Sequence, residues 1–210
     1  MAMYNVRRRI GVEFLPWGLA EARMIETLLA LQSGERVLEV GSSSGYRIER
    51  FLKKGIKAWG IDADSQAVQE GMKRQSTVTL IKADAEDLPF EDGFFDKILS
   101  VHLLEHLVNP VSAVEEMARV LKPCGYGVIV VPCERIRGDT AFAGWIKFKN
   151  IHLHKFKPSS ISKLLSRQFE IVEAFFHTMI PGQFKPMPLD RTPLLYYFSL
   201  AMILKVKKLG

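Results

Sequence analysis

Val37-Leu38-Glu39-Val40-Gly41-Ser42-Ser43-Ser44-Gly45 is the stretch on which the fold turns. A short apolar run breaks at Gly41 into small residues, and Tyr46 opens a helical pattern in which Ile48, Phe51 and Leu52 mark one face. Strand, tight loop and helix start together predict a junction at the carboxyl edge of an open parallel sheet. There, free backbone N–H groups and the absence of bulky side chains let a ligand approach. The loop reads as a cofactor cradle.

The glycines decide which cofactor. A dinucleotide fingerprint needs Gly-x-Gly-x-x-Gly, and the corresponding positions hold Gly41, Ser43 and Tyr46, so NAD and FAD fit poorly. Glu39-x-Gly41-x-x-x-Gly45 instead resembles the first motif of class I S-adenosylmethionine-dependent methyltransferases, acidic-x-Gly-x-Gly-x-Gly, with Ser43 in place of the middle glycine. S-adenosylmethionine has no pyrophosphate, so this departure need not block binding. The resemblance implies that Glu39, Gly41, Ser42, Ser43 and Gly45 meet the cofactor. An ordinary strand-to-helix turn would carry the same few residues, so the remaining chain must decide.

It does so in order. Residues 57–61 form a second strand ending on Asp62, twenty-one residues after Gly41 and followed by Ala63. A carboxylate there can accept hydrogen bonds from both ribose hydroxyls; its competing role is to cap the helix of residues 65–74. A third strand, residues 78–81, leads into Lys82-Ala83-Asp84-Ala85-Glu86-Asp87-Leu88-Pro89-Phe90, which resembles the family's second motif and implies that Asp84 and Ala85 lie beside adenine. A fourth strand, residues 97–100, runs into Val101-His102-Leu103-Leu104-Glu105-His106-Leu107. In the family this segment passes the methionine end of the cofactor, implicating Ser100 and Val101, and His102 beside the reactive methyl. His102-x-x-Glu105-His106 also matches an inverted zinc-peptidase pattern. That pattern needs a long helix and a further ligand elsewhere, whereas here Asn109-Pro110 stops it, so no metal is expected.

Asn109 and Pro110 cap and begin a helix carrying Val111, Val114, Met117 and Leu121. It ends in Arg119-Val120-Leu121-Lys122-Pro123-Cys124-Gly125, similar to the family's Arg-Val-Leu-Lys-Pro-Gly-Gly turn, with Cys124 replacing a glycine and expected to alter the turn locally. Residues 127–131 are the fifth strand. The resemblance thus covers about residues 35–135 and implies an α/β fold: a doubly wound, mostly parallel, seven-stranded Rossmann-like sheet with helices on both faces. Residues 169–176 and 201–207 are candidates for its closing antiparallel pair, although residues 194–204 also suit an apolar helix.

Composition is compatible with this. With 210 residues the chain is expected to form one domain: a helical segment or lid (1–34), a cofactor-binding core (35–135) and a substrate-side insertion with the last strands (136–210). Cys124 and Cys133 have neither metal-ligand nor disulfide-framework spacing, and with no convincing export signal a cytoplasmic protein with reduced thiols is expected. The net charge of +6 comes without an aromatic-basic RNA-binding signature, so no nucleic-acid partner is expected. Residues 193–204 are too short an apolar run to span a bilayer, but with Lys205, Lys207 and Lys208 they are a candidate peripheral membrane contact.

Pro16 opens a helix with Trp17, Ala20, Met24, Leu28 and Leu31 on one face, ended by Gly34. Substrate pockets in the family are built from the N-terminal segment and from the region after the fifth strand. This implicates Tyr4, Trp17, Trp145 and His152 in acceptor binding, although core packing suits Trp17 too. His102 and His154 are candidate bases, imidazole being the side chain best suited to proton transfer near neutral pH. The resemblance is to the quinone and small-molecule branch. It implies methyl transfer to a small-molecule or lipid-like acceptor, with S-adenosylhomocysteine as product. The rival reading is a non-catalytic protein that binds S-adenosylmethionine or scaffolds a partner on the same fold.

Overall fold

The computed structural model describes residues 16–74, 77–133, 152–178, 180 and 183–210. The expected alternation of strand and helix is present: α1 (Pro16–Leu29), β1 (Arg36–Val40), α2 (Tyr46–Leu52), β2 (Lys57–Asp62), α3 (Ser65–Arg74), β3 (Thr79–Lys82) and β4 (Phe95–Val101). A 3₁₀ turn (Leu104–His106), α4 (Pro110–Val120) and β5 (Leu121–Pro132) follow. After the undescribed residues come α5 (Pro158–Leu165), β6 (Phe169–Thr178), β7 (Phe184–Pro186), a second 3₁₀ turn (Leu194–Phe198) and β8 (Ser199–Lys208). The punctuation acts as its residue types dictate. Gly55, at φ +73°, ends α2, and the Asn109 side chain accepts the Ser112 N–H at the start of α4, with Pro110 next.

These strands form one sheet in the order β3-β2-β1-β4-β5-β8-β6-β7. The first five are parallel, and β8 inserts antiparallel between β5 and β6. The order reverses between β1 and β4, which places the topological switch point beside the Gly41–Gly45 loop. Ile25, Phe51 and Val68 of α1, α2 and α3 cover one face of the sheet. Val114, Met117 and Ile161 of α4 and α5 cover the other.

Three expectations are corrected. The sheet has eight strands rather than seven, because the three-residue β7 pairs with β6 through Phe184 and His177. The helical alternative for residues 194–204 fails. Only the 3₁₀ turn is helical, and Ala201, Met202, Ile203 and Leu204 lie at 0% exposure inside β8. Their hydrophobicity therefore builds the sheet; Leu194 and Phe198, in the turn before it, are exposed. Lastly, Cys124 does not distort the α4–β5 turn. It adopts φ +58°, the left-handed conformation natural to the glycine it replaces, while Lys122 to Gly125 bulge between the Phe95–Leu121 and Lys97–Tyr126 pairs.

Arg119, in that same turn motif, has a wider role. It donates to both carboxylate oxygens of Glu116 at 2.7 Å, to the carbonyls of Leu88 and Phe90 at 2.9 and 2.7 Å, and to Asp92 at 2.8 Å. Glu116 in turn accepts the Leu88 N–H at 2.7 Å. One guanidinium thus fastens α4 to the loop that begins at Asp84.

Candidate cofactor and substrate site

The cradle is a backbone structure. Gly41, Ser43 and Gly45 have φ of +78°, +52° and +75°, so the loop alternates into the left-handed region three times. Ser43 thus takes a left-handed conformation natural to glycine. A side chain at Gly41 would come within 2.9 Å of Leu103 Cδ1, so only glycine lets the β4 segment pack this closely over the loop. From below, α3 approaches so tightly that a Cβ on Gly71 would stand 2.5 Å from the Ser44 carbonyl. Glu39 is 1% exposed and accepts from Arg47 Nη1 at 2.8 Å. That contact braces the loop against α2.

Asp62 lies at the carboxyl end of β2, where its Oδ2 accepts the Ser43 N–H at 2.7 Å and its Oδ1 accepts the Asp64 N–H at 2.9 Å. Capping of α3 falls to Asp64, whose Oδ1 accepts from Gln66 at 2.9 Å. Asp62 is therefore relieved of the competing role, and each of its oxygens keeps a second lone pair. The exposed Asp84 accepts the Glu86 N–H at 2.9 Å beyond β3, and Ala85 beside it is buried. Ala63 is exposed next to Asp62. At the end of β4, Ser100 is 1% exposed with its hydroxyl unpartnered among the described residues; Val101 is buried on the opposite face. The left-handed loop, the Asp62 and Asp84 carboxylates and the unpartnered Ser100 hydroxyl follow the ends of β1, β2, β3 and β4 along one edge. Together they fit an adenosyl ligand with a polar tail.

Past β4 the site is made of side chains instead. His102 has φ +53° and is tied by its N–H to the Val130 carbonyl at 2.9 Å. Its Nε2 is 3.5 Å from Glu21 and its Nδ1 3.7 Å from Glu105. Glu21 also lies 3.6 Å from His177 Nδ1, and Glu105 lies 3.8 Å from His106 Nε2. His106 meets His152 edge to face, with ring centroids 4.7 Å apart. Imidazoles and carboxylates thus alternate from β6 through α1 and the end of β4 to the segment before α5. Glu21, Glu105 and His177 are all buried. Burying a carboxylate is costly unless it is paired, and the histidines stand within ion-pair distance of both.

Sequence-derived candidates distribute unevenly over this arrangement. His102 lies at its centre. Trp17 is 39% exposed rather than in the core, one helical turn before Glu21 and so on the same face of α1. His152 joins the line through His106, whereas His154 is apart from it, stacked on Phe156 with centroids 6.0 Å apart. Tyr4 and Trp145 fall outside the described residues. Sequence reasoning missed Glu21 and His177. A lone acid in an amphipathic helix and a lone histidine in an apolar strand carry no local signal, and only the topology brings them together.

Strand order, reversed closing strands and the left-handed loop define a class: the fold is that of the class I S-adenosylmethionine-dependent methyltransferases. Residues 38–129 match the family described as methyltransferase domain. An uncharacterized methyltransferase of Mycobacterium sp. (strain JLS) is 32% identical over 46% of this chain and 38% of its own length. A demethylmenaquinone methyltransferase of Paenarthrobacter aurescens is 31% identical over 51% of this chain and 42% of its own. The chain therefore spans about two fifths of these curated relatives. Among solved structures, a chain from the complex of the Haloferax volcanii Trm112 methyltransferase activator with a methyltransferase superposes with a TM-score of 0.71. It is 22% identical, with 96% of this chain and 93% of that chain covered.

Proposed function

We propose that the protein transfers a methyl group from S-adenosylmethionine to a small-molecule or lipid-like acceptor. The observation that carries this reading is the Asp62 carboxylate bonded to the Ser43 N–H, which joins the ends of β1 and β2 into one cradle at the switch point. Similarity to a demethylmenaquinone methyltransferase favours a ring-bearing acceptor. When bound, the cofactor supplies an electrophilic methyl on a sulfonium that leaves as a neutral thioether.

The chain's own residues then have three tasks. Asp62 and Asp84 hold the sugar and base, and the Gly41–Gly45 loop meets the remainder through its backbone. Leu103 and Trp17 exclude water and orient the acceptor so that its nucleophilic atom lines up with the methyl, which accounts for much of the acceleration. His102 serves a hydroxyl or acidic-carbon acceptor by taking its proton; the resulting imidazolium lies between Glu21 and Glu105, both within ion-pair distance.

The deciding experiment is calorimetric titration of the purified chain with S-adenosylmethionine and S-adenosylhomocysteine, followed by an acceptor screen that includes quinols and phenols. Binding of both with methylation of at least one acceptor is expected. Absence of binding would remove the reading, and binding without transfer would leave a cofactor-binding scaffold.

A further inference from the structure

His102-x-x-Glu105-His106 lacked, in sequence, a ligand from a second element. The fold supplies one. Glu105, His106 and His152 each offer one ligand atom, and these three atoms lie within 4.8 Å of one another. We propose that these three residues bind a divalent first-row transition-metal ion of the zinc class, with His102 left outside the ligand set.

Three independent features support it. The donors are two imidazoles and a carboxylate, a set suited to zinc and its neighbours rather than to magnesium or calcium. The segments that carry them are already stitched together by backbone. The Glu105 carbonyl accepts the Leu153 N–H at 2.8 Å and the His154 N–H at 3.1 Å, so the chain beside His152 is fixed against the Leu104–His106 turn without any side-chain contribution. And Glu105, at 0% exposure, brings a carboxylate into the interior, where a divalent ion would compensate its charge.

Geometry and access are compatible with such an ion. Zinc ligands in a tetrahedron stand about 3.4 Å apart, given bonds of roughly 2.0–2.2 Å. The present spacing closes to that by rotating the two imidazoles, of which His106 is 43% exposed along its side chain. Three protein ligands leave a position for water or another oxygen donor. The ion would fasten the 3₁₀ turn after β4 to the segment entering α5. Glu105 acts here as a ligand, unlike the glutamate of the peptidase pattern, which is a base.

The test uses the full chain, free of affinity-tag histidines, dialysed against chelator and in a Cys124→Ser background that removes the exposed thiol. Titration with zinc chloride in a calorimeter is expected to give one ion per chain, and cobalt(II) is expected to produce the visible absorption of a low-coordinate site. His106→Ala and His152→Ala should each weaken zinc binding by at least about tenfold, and His154→Ala should leave it unchanged. Circular dichroism establishes that each variant is folded. The proposal is overturned if the parent chain shows no saturable binding, or if its affinity survives both His106→Ala and His152→Ala. No cofactor or acceptor is present, so this outcome is separate from that of the methyl-transfer reading.

Discussion

The two halves of the carboxyl edge are made by different means. Over β1, β2 and β3 the site is backbone: left-handed turns at Gly41, Ser43 and Gly45, and one short-range carboxylate contact from Asp62. Beyond β4 it is a line of side chains drawn from α1, the 3₁₀ turn, β6 and the segment before α5. A backbone site recognises what is constant in a ligand, because its donors are fixed by the chain path. A side-chain site can be rebuilt residue by residue without disturbing the strands. On the proposed reading, the first half takes the cofactor and the second the acceptor.

The sharpest way to break that division is His102→Ala. If the halves are separable, turnover on the best acceptor should fall by about 10²–10⁴, the usual contribution of general acid–base catalysis, while calorimetric affinity for S-adenosylmethionine stays within error. A parallel loss of cofactor affinity would mean that His102 belongs to the cradle. The converse variant is Asp62→Ala. Loss of a charge-assisted contact of about 1.5–3 kcal/mol predicts a rise in cofactor Kd of roughly 10- to 100-fold. At saturating cofactor, kcat should be nearly unchanged.

The same contrast explains what was legible. Cradle residues follow one another within a few positions of a strand end, and their types (glycine for positive φ, aspartate at the next strand end) follow from local geometry, so the loop, Asp62 and the order of the first five strands could be read directly. Glu21 and His102, by contrast, are separated by most of three βα units, and nothing at either position announces the other. Residues 194–204 show a different limit. Apolar on both faces because β8 packs Met202 and Leu204 into one core layer and Ala201 and Ile203 into the other, they present neither period clearly, and pairing with β5 and β6 rather than pattern settles them as a strand. Glu39 shows a third: its type was informative, but its pairing with Arg47, eight residues on and in the next element, carries no local signal.

Away from that edge, at the end of α4 where β5 begins, the Arg119 hub anchors the loop that begins at Asp84. The paired hydrogen bonds from Arg119 lower the Glu116 pKa, and the Leu88 N–H adds to the effect against the opposing cost of burial. A carboxylate with a depressed folded pKa stabilises the fold fully above its unfolded value, ordinarily 4.5, and loses that contribution as pH falls through the lower folded value. Chemical denaturation monitored by circular dichroism should therefore show stability falling below about pH 4.5 in the parent, with a shallower fall in Glu116→Gln. At neutral pH the variant should be less stable by about 1–3 kcal/mol. Equal acid slopes would place the titrating group elsewhere.

The smallest effects test whether the serine and cysteine in glycine positions are matters of backbone alone. Ser43 at φ +52° lies inside the cradle, and Cys124 at φ +58° lies in the distant α4–β5 turn. A side chain in the left-handed region costs about 1 kcal/mol, partly offset because glycine loses more chain entropy on folding. Ser43→Gly and Cys124→Gly should each change the denaturation free energy by no more than about 1 kcal/mol. If backbone conformation is what the cradle offers, Ser43→Gly should also leave cofactor affinity unchanged, because the N–H that Asp62 accepts is retained. A weakened Kd in Ser43→Gly, with Cys124→Gly unaffected, would show that the Ser43 hydroxyl itself touches the ligand, and the backbone half of the edge would then contain at least one side-chain reader.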